Sequence, residues 1–130
     1  MSSPHTVLIV DDHPSIRDAF ATLVRFTPDM NLWGTAESAN DALARLAGAT
    51  AEGIPLPDVL VTDLSMAERS GIELLHEIRA LYPDLPGIVL SAHRADIYAA
   101  QATAAGAAAY VEKRDVAALL DVIRRVAPAR

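Results

Sequence analysis

The sequence has no cysteine, one lysine, and only six aromatic residues: two phenylalanines, three tyrosines and one tryptophan. Without cysteine there can be no disulfide framework, thiolate nucleophile or zinc–cysteine site. Cations are scarce too: 11 Lys+Arg stand against 17 Asp+Glu, for a formal charge of −6. That balance argues against direct nucleic acid binding, which needs a basic stripe. Apolar runs are short. Val7-Leu8-Ile9-Val10 falls far below the roughly 18–20 residues of a membrane-spanning helix. The N-terminus, Met1-Ser2-Ser3-Pro4-His5, lacks the cationic start of an export signal. The expectation is a soluble, cytoplasmic protein without membrane association.

What is present suffices for a core. Hydrophobic residues make up 52% of the chain, 25 alanines among them, so disorder is disfavoured. At 130 residues the chain is read as a single domain, 1–130, with its core at about 6–126.

Short β-like runs alternate with helix-period segments. Thr6–Val10 is an aliphatic run ended by Asp11-Asp12-His13-Pro14, and Pro14 suits the first turn of a helix. Ile16, Phe20, Leu23 and Val24 then mark one apolar helical face. A strand is expected at about Asn31–Ala36, followed by a helix capped by Ser38 that buries Ala39, Leu43, Leu46 and Ala47. The stretch from Gly48 to Pro57, with two glycines and two prolines, reads as a loop. Val59–Thr62 is a strand ending at Asp63. Gly71–Tyr82 is helical, with Leu74, Leu75, Ile78 and Leu81 inward. Gly87–Leu90 is a strand ending at Ser91, and Arg94–Ala105 is an alanine-rich helix closed by Gly106. Ala108–Glu112 is a short strand followed by Lys113. The last helix begins near Asp115, with Val116, Leu119, Leu120 and Ile123 on one face. The fold class is α/β: a (βα)₅ doubly wound, flavodoxin-like parallel sheet in the order 2-1-3-4-5.

Such sheets bind ligands beyond the carboxyl ends of their strands. Asp11 and Asp12, Asp63, Ser91 and Lys113 all fall there, on neighbouring strands. Three close carboxylates repel one another unless a cation joins them. A hard divalent ion such as Mg²⁺, with its preference for oxygen ligands, removes that conflict. The lysine and the serine hydroxyl then complement a phosphoryl group carried on a carboxylate. Ten of the 11 cations are arginine, and the exception, Lys113, sits at this rim.

Val7–Pro14, Val59–Met66, Leu90-Ser91-Ala92 and Tyr110-Val111-Glu112-Lys113 together resemble the receiver domain of two-component response regulators. The wording is closest to receivers that precede LuxR-type helix-turn-helix domains. The resemblance implies that Asp63 is the phosphoacceptor. It implies that Asp11, Asp12, Asp63 and the backbone carbonyl of Ser65 hold Mg²⁺, and that Ser91 and Lys113 contact the phosphoryl oxygens. Tyr110 corresponds to the aromatic switch residue that moves with Ser91. The implied donor is a sensor histidine kinase or a phosphotransfer protein. The implied output is a change in the surface around the fourth and fifth strands and the Arg94–Ala105 helix that acts on a downstream effector domain or protein. Homodimerisation is left open. In three places the chain departs from the family's usual wording: Ala67 and Arg114 stand where proline is common, and Ala109 where glycine often precedes the aromatic.

By this reading the domain is a switch and not an enzyme acting on a diffusible substrate. The alternatives are an unphosphorylated interaction scaffold on the same fold and a Mg²⁺-dependent phosphohydrolase. Ser65 opposes the latter, because such enzymes place a second aspartate there as acid/base. A flavin- or nucleotide-binding role is opposed by Asp11-Asp12, which repel phosphate in the absence of metal. His13 and His93 flank the acidic residues by sequence, whereas His76 is read as solvent-facing or an ion-pair partner and Trp33 as packing.

Overall fold

Strands and helices alternate strictly along residues 4–128, the part described by the computed structural model. The order is β1 (His5–Val10), α1 (Pro14–Arg25), β2 (Met30–Ala36), α2 (Ala39–Glu52), β3 (Val59–Asp63), α3 (Gly71–Leu81), β4 (Gly87–Ser91), α4 (Ala95–Ala104), β5 (Ala109–Glu112) and α5 (Val116–Val126). The five strands form one sheet in the order β2-β1-β3-β4-β5, and every pairing is parallel. A register shift between Val7 and Leu8 interrupts the β1–β2 pairing.

The period-two direction of strand side chains divides the core in two. Val7, Ile9, Val59, Val61, Ile88 and Leu90 point to one face, where Phe20 and Val24 of α1 and Leu119 and Ile123 of α5 cover them. Leu8, Val10, Leu60 and Val89 point to the other, beneath Leu46 of α2, Leu74 and Ile78 of α3 and Ala102 of α4. Both faces being covered explains why the strands read as continuous apolar runs and do not alternate. The expected fold class and strand order are those observed.

Local chemistry sets the helix ends. The hydroxyls of Ser38 and Ser70 accept from the backbone N–H groups of Asp41 and Glu73, and the Asp115 carboxylate accepts from that of Ala118. Five expectations need correction. The loop expected from Gly48 to Pro57 begins later, because α2 runs to Glu52 and stops at Gly53, whose φ of +71° is the left-handed cap. Its buried stripe is Ala39, Ala42, Leu46 and Ala49, which leaves Ala47 exposed. Leu81 is 60% exposed, because the following residue, Tyr82, packs on the core in its place as the helix ends. Val116, in the first turn of α5, is also exposed, and Val122 joins Leu119 and Ile123 in the buried stripe. The alanine-rich helix is one residue shorter at each end than expected, with Arg94 and Ala105 as its caps. Among the described residues, no helix is long and apolar enough to cross a membrane.

Candidate functional site

The carboxyl ends of β1, β3, β4 and β5 bring Asp11, Asp63, Ser91 and Lys113 to one rim. Asp11, Asp63 and Ser91 are all buried. The chain leaves β1 through an Asx turn in which the Asp11 Oδ1 accepts the His13 N–H at 2.9 Å. Arg17 of α1 donates to the Asp11 carbonyl at 2.9 Å and secures the same turn. At the end of β3, Asp63 lies under the start of α3. A Cβ on Gly71 would meet the Asp63 carbonyl oxygen at 2.1 Å, so only glycine permits this approach. Sequence reading treated Gly71 simply as a helix start. Nothing in the local pattern marked it as a contact point.

Lys113 joins the two sides of the rim. Its Nζ lies 3.1 Å from Asp11 Oδ2 and 3.2 Å from Asp63 Oδ1. The backbone N–H of Lys113 donates to the Ser91 carbonyl at 2.7 Å, which fixes where the side chain starts. Burial holds the Asp63 carboxyl above its ordinary pKa. Lys113 opposes that shift, and the Asp11 and Asp12 charges add to it. The site therefore carries more negative charge than its one lysine neutralises.

Asp12 is only partly buried. Its Oδ2 accepts the backbone N–H of Ala67 at 3.0 Å, a bond that proline at 67 could not make. Its Oδ1 is buried without a hydrogen-bond partner. A buried carboxylate oxygen that accepts no hydrogen bond, beside two further carboxylates, suits a hard cation. Asp11, Asp12, His13 and Asp63 each offer a ligand atom, all within 4.8 Å of one another. Ser65 lies on the exposed loop after β3, and among the described residues no hydrogen bond or ion pair joins it to this cluster.

Ser91 and Tyr110 are linked through one peptide segment. The Ser91 Oγ accepts the His93 N–H at 3.0 Å, while the Tyr110 hydroxyl donates to the His93 carbonyl at 2.9 Å. The His93 ring packs edge-on against Tyr98 of α4 at 5.0 Å between centroids. Sequence reading placed His93 beside the acidic residues. In the structure its main chain bridges Ser91 to Tyr110.

An acidic, lysine-bridged rim on a five-stranded doubly wound sheet defines a class of phosphorylation switch. Residues 7–124 match the response regulator receiver domain family, and the chain belongs to that family. It is 34% identical over 107 residues to the DNA-binding transcriptional activator DevR/DosR of Mycobacterium tuberculosis, covering 82% of this chain and 46% of that protein. It is 36% identical over 109 residues to the transcriptional regulatory protein UhpA of Salmonella typhimurium, covering 84% of this chain and 51% of that one. The chain thus spans about half the length of these relatives. Among solved structures it resembles a LuxR-family two-component response regulator from Aurantimonas, with a TM-score of 0.80 and 26% identity over 96% of this chain and 89% of that one. It also resembles TrrA of Thermotoga maritima, solved in complex with Mg²⁺-BeF, with a TM-score of 0.79 and 26% identity over 94% of this chain and 98% of that one. The family's function is that of a phosphorylation switch in two-component signalling.

Proposed function

We propose that Asp63 is the phosphoacceptor, and that its phosphorylation is read out through Ser91, Tyr110 and the segment leading into α4. The observation that carries this reading is the double engagement of Lys113, within 3.2 Å of both Asp11 and Asp63. The donor is the phosphohistidine of a sensor histidine kinase or phosphotransfer protein. A carboxylate oxygen of Asp63 attacks phosphorus in line, the P–N bond breaks, and its electron pair returns to the donor imidazole. Asp11, Asp12, Asp63 and the Ser65 carbonyl would hold Mg²⁺, which when bound neutralises charge on the transferred group. That an ion belongs here is supported by the Asp12 oxygen that accepts no hydrogen bond and by the Mg²⁺ in the TrrA complex.

Lys113 stands ready to pair with the new charge, because its present partner Asp63 loses its own on phosphorylation. The Ser91 hydroxyl turns from the His93 N–H toward the phosphoryl oxygens. The His93 peptide is then released at one end, and the Tyr110 hydroxyl loses a fixed acceptor at the other. The loop 92–94 and α4 are thereby freed to take a second arrangement. In this reading the domain assists its own phosphorylation and its own dephosphorylation. It works in the cytoplasm and controls a downstream effector, for which the DNA-binding relatives suggest a LuxR-type domain.

The test is incubation with acetyl phosphate or phosphorylated kinase, with and without Mg²⁺. The expected result is a mass gain of one phosphoryl group that needs Mg²⁺, is released by hydroxylamine and is absent from Asp63→Asn. Labelling that persists in Asp63→Asn would overturn the assignment.

A further inference from the structure

We infer that the His13 imidazole is a direct ligand of the divalent ion held at this rim, and that it shifts the site's preference from Mg²⁺ toward ions that accept nitrogen, such as Mn²⁺, Co²⁺ and Ni²⁺. The inference rests on the proposed reading only in requiring that the acidic cluster bind a divalent ion.

His13 is the N-cap of α1, yet its side chain makes no capping hydrogen bond. The ring turns back over the carboxylates instead. Its Nδ1 is hydrogen-bonded to Asp11 Oδ1 at 3.0 Å and lies 3.0 Å from Asp12 Oδ1 and 3.9 Å from Asp63 Oδ2, so that an ion bound at Nδ1 would take the place of that bond's proton. One nitrogen therefore faces an oxygen of each of the three carboxylates. Neighbouring ligands on an octahedral ion with bonds of about 2.0–2.1 Å lie roughly 3 Å apart, which is the spacing His13 keeps from Asp11 and Asp12.

The turn delivers the ring to this position. The Asp11 carboxylate holds the His13 N–H at 2.9 Å, and Pro14 restricts the chain on the other side. Asp12 is fixed from behind by the Ala67 N–H. Its free oxygen faces the same point as Nδ1 and, although within 3.0 Å of it, is without a hydrogen bond. The imidazole is 62% exposed, so an ion can reach the cluster from solvent past the ring.

The chemical consequence follows from ligand type. A set of carboxylates, a carbonyl and waters suits Mg²⁺, which gives up water reluctantly. Replacing one water by imidazole adds little for Mg²⁺, but it strengthens binding along the series from Mn²⁺ through Co²⁺ to Ni²⁺. His13→Ala is expected to leave Mg²⁺ affinity within about twofold and to weaken Ni²⁺ about tenfold.

The decisive measurement is pulsed EPR on the full chain loaded with Mn²⁺, alongside calorimetric titration with Mg²⁺ and Ni²⁺. Directly bound ¹⁴N is expected in the wild type and in His93→Ala, and its loss in His13→Ala and His13→Asn. The asparagine variant keeps a good N-cap residue, and circular dichroism shows whether each variant is folded. Bound Mn²⁺ without nitrogen coupling in the wild type would overturn the assignment of His13 while leaving the metal site intact. No Mn²⁺ binding at all would overturn both. Coupling that survives in His13→Ala, or Ni²⁺ affinity unchanged by it, would place the nitrogen elsewhere. Tighter Mg²⁺ binding in His13→Ala without nitrogen coupling would make the ring a competitor and end the proposal.

Discussion

Helices α4 and α5 cover opposite faces of the same end of the sheet, but they are held very differently. On one side, α5 presses Leu119, Val122 and Ile123 into the core and is tied across the surface by Arg124, which reaches Asp29 at 2.7 Å. On the other, α4 buries only Ala102 among its described side chains, and Ile97 is 61% exposed. The apolar area that fixes α5 is largely missing from α4, so the free energy needed to shift α4 is correspondingly small. In a switch, the element that must move is expected to be the one least anchored. The firmly packed α5 is, by the same measure, the less free of the two to shift.

The sharpest way to break this contrast is to cut one apolar side chain from each helix. Ile123→Ala is expected to lose about 2–5 kcal/mol of stability, whereas Ile97→Ala should stay within about 0.5 kcal/mol. Both are read from urea denaturation. Equal losses would mean that α4 is held as firmly as α5. Next in size is Ala102→Leu, which overfills the one buried position among the described side chains of α4. It should cost about 1–3 kcal/mol, and it should speed amide exchange across 95–104 while leaving 116–126 unchanged.

Tyr110→Phe removes the hydroxyl held by the His93 carbonyl. The expected loss is about 0.5–1.5 kcal/mol, with faster exchange confined to the loop 92–94 and the start of α4. The smallest effect belongs to the surface pair at α5. The Arg124 hydrogen bond lowers the Asp29 pKa, so the pair's contribution is present above the ordinary carboxylate pKa of about 3.9 and fades as pH falls through the lowered value. Both groups are solvent-screened, so Arg124→Gln should change acid unfolding only marginally and only in that window.

Much of the fold was legible because its strands are buried on both faces. Val7–Val10 and Val59–Thr62 announce themselves as unbroken apolar runs, and each ends in a carboxylate at the rim. The same logic places the four rim positions at strand ends. Misjudgements fell where a helix outlasts the sheet that covers it. Leu81 and Val116 continue their helical stripes correctly but have nothing above them. At α2, Gly48 reads as a break, but it is tolerated mid-helix on the exposed side, and Gly53, with its positive φ, is the real stop. The site was legible to the level of residue type but not of direction. The turn of His13 toward the carboxylates, the Ala67 N–H on Asp12 and the closeness of Gly71 to Asp63 all depend on backbone paths that spacing alone does not encode.

The bridge between Ser91 and Tyr110 uses only the main-chain N–H and carbonyl of His93. The link between the rim and β5 is therefore made of atoms that every residue except proline possesses. Side chains at position 93 can be exchanged to retune solvent access or contacts with Tyr98 while the relay stays intact. Only proline at 93, which has no N–H, is expected to cut the Ser91 end of the bridge.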